Sequence, residues 1–506
     1  MYPIQHFERA VRRWPDCPAA EFGDQVLTYS ELGARVAALA AGLQSLDPDP
    51  GSRVAICAHN SLENLIAMLA IMAAGKVWVP LQYTNPEKDI LNVIEITQAS
   101  IVIAHADLVP KVASAGGKLL VCDGPDAENS TRALMHAHAG KRPAPVSLPL
   151  NAPQAIKFTG GTTGRPKGVM QSYRGWNTNI VTQIVSWKMR EGDRYLAAAP
   201  ITHGASTYLM PTFAIGGTVV LLDRPAPSAT LDCLQNREIA HTFLAPTVIY
   251  MMMELPEARN ADYAALRNLI YGGGPMRPDA IARAQEIFGE RIGSTYGQTE
   301  ASQVATMISP SELARPELRQ SVGRDTLLTQ VEIMAPDGSL MPPGEIGEIV
   351  IRGDLLMEGY LGQPDLTAQT IVDGWLHTGD LGCKDDLGYL SIRGRTSEMI
   401  ITGGFNVYPS EVEPSLGQFP GVVDCAVFGV PDEKWGEAVH AAVQMQEGAA
   451  ADPGEIIAFL RTRLGPVKTP KSVRFYDRMP RNAFGKIQRK QLVADSQAEQ
   501  AAGVNG

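Results

Sequence analysis

The sequence predicts an α/β protein with a large N-terminal body of αβ-layered subdomains, a β-rich subdomain, and a small α+β domain at the C-terminus. Two observations lead to this prediction. Short apolar runs alternate with helical patterns through roughly the first 300 residues, which is typical of a mostly parallel sheet covered by helices. Further on, alternating strand patterns and turn signals replace the helical stretches. The chain has 506 residues, which is enough for two or three domains.

The N-terminal part of the chain supplies the first predicted elements. Residues 1–14 mix Glu and Arg with apolar residues and suit an amphipathic helix. Ser30 is a suitable cap for the next helix, whose apolar residues recur at helical spacing. The elements expected after it are a strand at 54–57, a helix at 62–74, and strands at 77–80, 101–104 and 119–122.

The same alternation continues in the second part of the chain. The strands expected here are at 195–199, 218–222, 241–244, 269–271, 331–334, 348–353, 424–430 and 438–444, and a helix is expected at 455–464. Pro336-Asp337-Gly338 is a hairpin signal between two of these strands. We therefore expect an N-terminal domain at 1–394, a hinge at 395–397 and a small C-terminal domain at 398–506.

Charge and cysteine content argue against several classes of protein. The net charge is −10 and no run of Lys or Arg is present, which disfavours a nucleic-acid-binding role. Six cysteines are scattered without a C-x-x-C pair, which disfavours a zinc site or a disulfide framework and favours a reducing compartment. No apolar run has the length of a membrane span or of a signal-peptide core. We expect a cytoplasmic protein.

A glycine- and threonine-rich segment at residues 156–169 has the composition of a phosphate-binding loop. Its glycines let backbone N–H groups approach an anion, while its hydroxyls and its lysine add donors and positive charge. The residues expected to hold a polyphosphate are Thr159, Gly160, Gly161, Thr162, Thr163, Gly164 and Lys167. The segment is not a Walker loop, because Lys167 follows Pro166 and precedes Gly168. A plain glycine-rich hairpin is the alternative.

Four further motifs follow this segment in order along the chain. They are Tyr296-Gly297-Gln298-Thr299-Glu300, then Thr378-Gly379-Asp380, then Gly394-Arg395 leading to residues 403–409, and finally residues 480–486. Together with the loop they resemble the motifs of the acyl-adenylate-forming (AMP-binding) superfamily, which includes acyl-CoA synthetases, carrier-loading adenylation domains and beetle luciferases. The resemblance spans most of the chain and implies that ATP activates a carboxylic acid.

The resemblance implies how the nucleotide is held. Thr299 matches the family's α-phosphate contact and Glu300 its magnesium ligand, a role that suits a hard carboxylate oxygen. A helix cap is the structural alternative for this pair. The adenine-binding turn corresponds to Gly272, Gly273 and Gly274, and Tyr296 is expected against the other face of the base.

Two residues of the later motifs match the family's remaining nucleotide contacts. Asp380 is expected to accept hydrogen bonds from the ribose hydroxyls, and Arg395 is expected to be a second contact. A surface ion pair is the alternative for Arg395. His203 matches an aromatic or histidine position at the family's acyl pocket, where a core histidine is the competing interpretation.

The resemblance also implies a two-step reaction with a moving C-terminal domain. Lys486 matches the family's catalytic lysine, whose ammonium can bridge the incoming carboxylate and the α-phosphate. After adenylation the domain is expected to rotate, so that Gly403 and Gly404 border the tunnel for the thiol arm of coenzyme A. The joint position is Ser397, where many relatives carry Asp or Lys, and Gly160 replaces a common serine.

We therefore expect an ATP-dependent carboxylate–CoA ligase, an acyl-CoA synthetase that releases AMP and pyrophosphate and requires ATP, Mg²⁺ and coenzyme A. One alternative is a stand-alone enzyme that loads an acyl group onto a carrier protein, although the acidic residue typical of an amino-acid pocket is missing at 205–207. Another is a non-catalytic nucleotide-binding protein, which the intact Lys486 and Glu300 disfavour. A hydrophobic monocarboxylate, whether medium-chain, alicyclic or aromatic, is the expected substrate, and a homodimer is the expected assembly.

Overall fold

The structure, a computed structural model, describes residues 1–124, 127–159, 166–224, 226–302, 304–449, 451–481 and 487–503. The chain divides into two units. The first comprises Met1–Val331 and Val350–His377, and the second comprises Glu332–Ile349 and Thr378–Gly506. Among the described residues, no helix combines the length and apolar character that crossing a bilayer requires.

Helices and strands alternate through the N-terminal half of the first unit. In chain order they are α1 (Ile4–Arg13), β1 (Pro18–Phe22), β2 (Gln25–Thr28), α2 (Tyr29–Leu46), β3 (Arg53–Cys57), α3 (Leu62–Ala73), β4 (Val77–Pro80), α4 (Glu87–Thr97), β5 (Ile101–Ala104), β6 (Lys118–Val121), α5 (Thr131–Ala137), β7 (Pro153–Thr159), β8 (Lys167–Ser172) and α6 (Tyr173–Ser186). The alternation then continues with β9 (Arg194–Ala197), α7 (Leu209–Ala214), β10 (Thr218–Leu221), α8 (Pro227–Asn236), β11 (His241–Leu244), α9 (Pro246–Met253), β12 (Asn268–Tyr271), α10 (Pro278–Phe288), β13 (Ile292–Tyr296), β14 (Thr306–Ile308), α11 (Pro310–Leu313) and β15 (Arg324–Asp325).

Strands dominate the rest of the chain. They are, with the helices between them, β16 (Thr329–Met334), β17 (Gly347–Gly353), β18 (Gly359–Tyr360), α12 (Pro364–Thr370), β19 (Ile371–Val372), β20 (Trp375–Lys384), β21 (Leu390–Arg395), β22 (Ile400–Thr402), β23 (Phe405–Val407), α13 (Pro409–Leu416), β24 (Val422–Asp432), β25 (Gly436–Met445), α14 (Pro453–Lys468), β26 (Ser472–Phe475) and α15 (Arg489–Gly503). The predicted bounds of β4, β5 and β11 are confirmed, and the other predicted strands differ by one or two residues at one or both ends.

The predicted cap of α2 is wrong. Thr28, not Ser30, precedes the helix, and its hydroxyl accepts a 3.2 Å hydrogen bond from the backbone N–H of Glu31. The Glu31 carboxylate accepts in return from the backbone N–H of Thr28 at 2.8 Å. This reciprocal pair satisfies two helix-terminal donors, whereas Ser30 lies inside the first turn.

The first unit contains two sheets, and in each of them the carboxyl ends of neighbouring parallel strands lie along one edge. One has the strand order β18-β8-β7-β4-β3-β5-β6, and the other has the order β15-β14-β13-β12-β11-β9-β10-β1-β2. Strands β9, β11, β12 and β13 are parallel neighbours, so their carboxyl ends lie along one edge of the second sheet. Strand β7 is parallel to β4, and β4 to β3, so Thr159 at the carboxyl end of β7 lies at the corresponding edge of the first sheet. The α/β prediction is confirmed.

The main hydrophobic core of the first unit joins these two sheets. Helix α3 is buried through almost its whole length, and its residues share one apolar cluster with Trp78 of the first sheet and Tyr195 of the second. Burying a large apolar side chain of this kind contributes about 1.5–3 kcal/mol. The core therefore holds the two sets of strand ends in a defined position.

The second unit contains the C-terminal sheet, in the order β23-β22-β25-β24 with β26 parallel to β25. Its core includes Val427 of β24, Val439 of β25 and Ile456 of α14, which pack together. A further sheet has the order β16-β17-β20-β19, with β21 paired to β20, and the division into units falls within β16, β17 and β20. Thr396–Glu398 forms a 3-10 turn at the predicted hinge. Rotation of the chain at 395–397 stays a prediction.

Candidate active site

The loops after β9, β11 and β12 meet around the ring of Phe243. A Cβ atom added to Gly204 would lie 2.6 Å from one edge of this ring, and one added to Gly272 would lie 3.0 Å from the other edge. A side chain at either position would therefore crowd the ring. The predicted acyl-pocket segment and the predicted adenine-binding turn are thus adjacent in the first unit.

The flanks of the phosphate-binding segment are held by an antiparallel pair of strands. Thr159 at the end of β7 is the register partner of Lys167 at the start of β8. The predicted phosphate contacts between them, Gly160, Gly161, Thr162, Thr163 and Gly164, lie outside the described residues. The strand pairing places Thr159 and Lys167, two of the predicted phosphate contacts, side by side.

Lys167 faces a tyrosine that the sequence analysis did not single out. Its Nζ lies 5.4 Å from the centroid of the Tyr360 ring, a cation–π distance. Strand β18 brings Tyr360 there by pairing with β8, where Tyr360 is opposite Val169. No local pattern near Tyr360 signals this contact, because its partner is far away in sequence.

Tyr360 also binds the predicted magnesium ligand. Its hydroxyl donates a 3.0 Å hydrogen bond to Oε1 of Glu300. Burial raises the pKa of Tyr360 well above its usual value, and the negative charge of Glu300 raises it further, so the phenol keeps the proton that it donates. Lys167, Tyr360 and Glu300 thus form one connected group.

The backbone of Thr299 and Glu300 is fixed by two hydrogen bonds. Gln171 of β8 donates its Nε2 to the Thr299 carbonyl at 2.8 Å, and the Met357 N–H donates to the Glu300 carbonyl at 2.7 Å. The Trp176 indole N–H in turn donates to Oε1 of Gln171 at 3.2 Å. These contacts position Thr299 and Glu300 beside the strand that follows the phosphate-binding segment.

The donors present fit a magnesium ion bound with nucleotide. Mg²⁺ binds hard oxygen atoms and is commonly held by one or two carboxylates plus phosphate oxygens of the substrate. Glu300 is partly exposed and supplies such a carboxylate next to the cationic Lys167. The assignment of Glu300 as the metal ligand remains a prediction.

The predicted adenine site lies at the ends of β12 and β13. Gly272, Gly273 and Gly274 follow β12 directly, and a Cβ at Gly272 would also lie 3.0 Å from the Thr295 carbonyl. Tyr296 ends β13 and is buried, with its carbonyl accepting from Ala305 N–H at 2.8 Å. The glycine turn and Tyr296 therefore follow neighbouring strands, which is the arrangement that a base bound between them requires.

His203 is a neutral, largely enclosed histidine. Burial lowers its pKa to about 4, with a further contribution from the nearby charge of Lys157. The Thr202 hydroxyl donates to Gln82 at 3.1 Å, so its oxygen accepts from Nδ1 of His203 at 2.7 Å. This leaves Nε2 as the acceptor nitrogen of the ring.

Lys157 is a second residue that the sequence analysis missed. It lies in the middle of β7, is 3% exposed, and donates a 2.8 Å hydrogen bond to Oγ of Ser206. Its Nζ faces the rings of Trp78 and Trp176 at 5.3 and 5.5 Å. Burial lowers the pKa of this ammonium to about 7. The sequence signal that could have identified Lys157 is a charged residue inside a predicted apolar strand.

In the second unit, Asp380 and Arg395 are paired across the β20–β21 hairpin. Nε of Arg395 lies 3.0 Å from Oδ1 of the buried Asp380, and the two residues are register partners. The Asp380 N–H donates to the Thr378 hydroxyl at 3.0 Å, and that hydroxyl donates to the Ile349 carbonyl at 2.6 Å. The predicted ribose and nucleotide contacts are therefore neighbours.

Gly403 and Gly404 form the turn between β22 and β23. Their φ angles are +57° and +82°, a left-handed conformation that favours glycine at both positions. A Cβ at Gly403 would lie 2.9 Å from the Trp435 ring, whereas Gly404 has open space beside it. Lys486 lies outside the described residues, and its role stays a prediction.

Comparison with known proteins identifies the family. The model of the AMP-binding enzyme family matches residues 7–361, and that of the AMP-binding enzyme C-terminal domain matches residues 411–486. A feruloyl-CoA synthase from an Amycolatopsis species is 37% identical over 95% of this chain and 96% of its own length. The medium/long-chain-fatty-acid–CoA ligase FadD8 of Mycobacterium tuberculosis is 32% identical over 96% of this chain and 88% of its own. The crystal structure of ATP-bound MatB from Rhodopseudomonas palustris has a TM-score of 0.90 and 29% identity, covering 98% of this chain and 99% of that one.

The chain belongs to the AMP-binding enzyme family, whose members form acyl-adenylates. Within it, the chain is an AMP-forming acid–thiol ligase of the acyl-CoA synthetase class, which acts with ATP, Mg²⁺ and coenzyme A. The resemblance found in the sequence and the enzyme class inferred from it are confirmed.

Proposed function

We propose that the loops at the carboxyl ends of β7, β9, β11, β12 and β13 form one site, in which a carboxylic acid displaces pyrophosphate from ATP. The observation that supports this most is the connected group of Lys167, Tyr360 and Glu300. It places a cation for phosphate beside a carboxylate for magnesium, next to the only segment of the chain with a phosphate-loop composition.

In the first step an oxygen of the substrate carboxylate forms a bond to the α-phosphorus, and the bond from that phosphorus to the β-phosphate oxygen breaks. Thr159 and Lys167 hold the β- and γ-phosphates, and Thr299 contacts the α-phosphate. Glu300 would hold Mg²⁺, which neutralises phosphate charge when bound. Because the chemistry needs mainly charge stabilisation and alignment, these residues and Lys486 are sufficient for it.

We assign the nucleoside to two groups of residues. Gly272 to Gly274 and Tyr296 enclose the adenine, while Asp380 accepts hydrogen bonds from the ribose and Arg395 steadies it. The neutral His203 lines the acyl side, where it adds no charge near the reacting carboxylate.

In the second step the thiol of coenzyme A attacks the acyl carbon, the bond from that carbon to the phosphate oxygen breaks, and AMP leaves. The thiol proton is released as the thioester forms. We propose that rotation at 395–397 replaces Lys486 by the Gly403–Gly404 turn, with the predicted domains 1–394 and 398–506 moving against each other. The open space beside Gly404 supports a path for a thin thiol arm.

We infer that the substrate is a medium-chain, alicyclic or aromatic monocarboxylic acid. The relatives compared above act on feruloyl and fatty acyl groups according to their names, and both are large and mainly apolar. The segment that follows His203 supports this, since Ala205, Ser206 and Thr207 are buried and carry no charge. A cytoplasmic location and a homodimer belong to the same proposal, and light scattering of the purified chain tests the second.

A pyrophosphate-release assay over a panel of acids, with and without coenzyme A, tests the proposed function. We expect pyrophosphate with a subset of apolar acids, and AMP plus an acyl-CoA only when coenzyme A is present. Pyrophosphate release without consumption of coenzyme A, but with loading of an added carrier protein, would support the carrier-loading enzyme instead. Nucleotide binding without release from any acid would support the non-catalytic alternative.

A further inference from the structure

Lys157 is a buried lysine that none of the proposed steps uses. Its ammonium has three protons, and among the described residues its only hydrogen-bond acceptor is Oγ of Ser206. No carboxylate of the described residues forms an ion pair with it. A buried ammonium without a counter-charge is costly, because the low-dielectric interior disfavours the charged form.

Another buried donor belongs to one of the two tryptophans that this ammonium faces. The indole N–H of Trp78, whose ring Lys157 faces at 5.3 Å, has no acceptor among the described residues although Trp78 is 1% exposed. An unpaired buried donor costs about 1–3 kcal/mol. Lys157 and Trp78 are thus two contacting side chains with unused donor protons, which points to a binding site for an acceptor from outside the chain.

Lys76 shows what a structural buried lysine looks like in the same unit. It is fully buried, but its ammonium donates to Oγ of Ser52 at 2.7 Å and to the Asp49 carbonyl at 3.0 Å. The Asp47 carboxylate lies 3.7 Å from it and supplies the counter-charge. Lys157 has one hydroxyl acceptor and two tryptophan rings but no carboxylate among the described residues, so its charge is compensated less than that of Lys76.

The position of Lys157 connects it with the acyl side of the site. Side chains alternate along a strand, so Lys157 and Thr159 lie on the same face of β7 with Cα atoms about 7 Å apart. Ser206, which accepts from Lys157, donates its own proton to the His203 carbonyl at 2.7 Å. On another side, Trp176 supports the Gln171 amide that holds Thr299.

We propose that Lys157 recognises an oxygen atom at the end of the acyl substrate opposite the reacting carboxylate. The preferred monocarboxylic acids then carry a distal hydroxyl or carbonyl oxygen, and acids with a plain hydrocarbon end are disfavoured. This inference rests on the proposed function, because it takes the acyl group to lie between Thr159 and the His203 turn. A hydrocarbon end would leave the spare protons of the ammonium unpaired, whereas an oxygen accepts one of them.

Matched pairs of acids that differ only at the distal end test the inference. We would compare cinnamate with 4-hydroxycinnamate and 4-carboxycinnamate, benzoate with 4-hydroxybenzoate, and octanoate with 8-hydroxyoctanoate, measuring kcat/KM for pyrophosphate release. The wild-type enzyme is expected to prefer the oxygen-bearing member of at least one pair by about tenfold or more. The hydroxy and carboxy arms distinguish a neutral acceptor from an anion.

The variant Lys157→Met keeps the length of the side chain but removes its donors. In this variant the ratio of kcat/KM values for the two acids of a pair is expected to fall close to one, mainly because the KM for the oxygen-bearing acid rises. Lys76→Met is the matched control, since it removes a buried lysine outside the site and should keep the wild-type preference. The melting temperature of each variant reports folding.

Each outcome supports or overturns a separate statement. Absence of pyrophosphate release by the wild-type enzyme from any acid overturns the proposed function. Turnover without a preference in any pair, or a preference that Lys157→Met retains, overturns the role of Lys157 alone. A lower melting temperature in Lys157→Met with an unchanged preference assigns this lysine to folding only.

Discussion

The phenol of Tyr360 donates a 3.0 Å hydrogen bond to the carboxylate of Glu300. The same ring faces the Lys167 ammonium, so one tyrosine touches both the predicted phosphate ligand and the predicted magnesium ligand. The pairing of β18 with β8 brings it there, together with a backbone hydrogen bond from Leu361 to the Gly168 carbonyl at 2.8 Å. The predicted metal ligand and the predicted phosphate ligand therefore share a contact with a residue outside the recognised motifs.

Replacing Tyr360 tests this dependence. Tyr360→Phe removes the hydrogen bond to Glu300 but keeps the ring, so we expect the KM for MgATP to rise about five- to tenfold, in line with about 1 kcal/mol for one hydrogen bond. Pyrophosphate exchange measured over a range of Mg²⁺ concentrations checks this. Tyr263→Phe, which removes a hydrogen bond to the Ala258 carbonyl elsewhere in the first unit, is the control. An unchanged MgATP dependence in Tyr360→Phe would exclude the positioning role.

Asp380→Ala is expected to weaken ATP binding about tenfold or more, because a charge-assisted hydrogen bond to a ribose hydroxyl is lost. The effect on stability should be small, since the Arg395 partner is half exposed and such pairs contribute about 0–1 kcal/mol. Equilibrium nucleotide binding and thermal melting measure the two effects. Asp424→Ala breaks another carboxylate–arginine pair of the second unit, that with Arg481, and should leave ATP affinity unchanged. Equal ATP affinity in Asp380→Ala and wild type would remove Asp380 from the site.

Lys486→Ala is expected to abolish acyl-AMP formation while leaving the conversion of supplied acyl-AMP to acyl-CoA largely intact. The reason is that the lysine is proposed to act in only one of the two domain orientations. Single-turnover measurements of each half-reaction separate the two steps, with the exposed Lys118→Ala as a control. Similar losses in both half-reactions would contradict the proposed rotation.

The stability of the protein should depend on the ionisation of Lys157. Burial lowers its pKa to about 7 in the folded state, whereas a lysine in an unfolded chain has a pKa of about 10.4. Between these values the unfolded chain binds more protons, so this group makes the free energy of unfolding rise with pH by up to about 1.4 kcal/mol per unit. Below pH 7 the destabilisation is fully present. The groups facing Lys157 are Ser206, two tryptophans and His203, whose pKa of about 4 keeps it neutral over this range.

Urea unfolding of wild type and Lys157→Met from pH 6 to pH 9 measures this effect as a difference. The methionine variant should be the more stable at pH 6, and its advantage should shrink as the pH rises. Taking the difference removes the contributions of other groups that titrate in both proteins. A constant difference across the range would show that Lys157 does not change its charge there.

Local patterns were sufficient for much of the fold. The strands at 101–104 and 241–244 have the predicted bounds because short apolar runs between turn residues belong to buried strands, whichever sheet they join. The cap of α2 was wrong because both Thr28 and Ser30 are good capping residues, and only the glutamate at position 31 selects between them.

The site was predictable only where motifs carried it. Thr299, Glu300, Asp380 and Arg395 lie in recognisable segments, and the structure brings Asp380 and Arg395 together. Tyr360 depends on the pairing of two strands nearly two hundred residues apart, which no local pattern encodes. Lys157 is visible as a charge in an apolar strand, but its lack of a carboxylate partner among the described residues appears only after the strands are assembled.

The shared contact of Gly204 and Gly272 with Phe243 restricts how the specificity of this enzyme can be redesigned. Shortening Phe243 to admit a bulkier acid would also remove the support beneath the nucleotide turn, so gains in acid range and losses in ATP affinity would arrive together. Variants that differ only in the loop facing the acid would therefore also change the predicted adenine-binding turn, unless a second substitution at Gly272 to Gly274 restores its contact with residue 243.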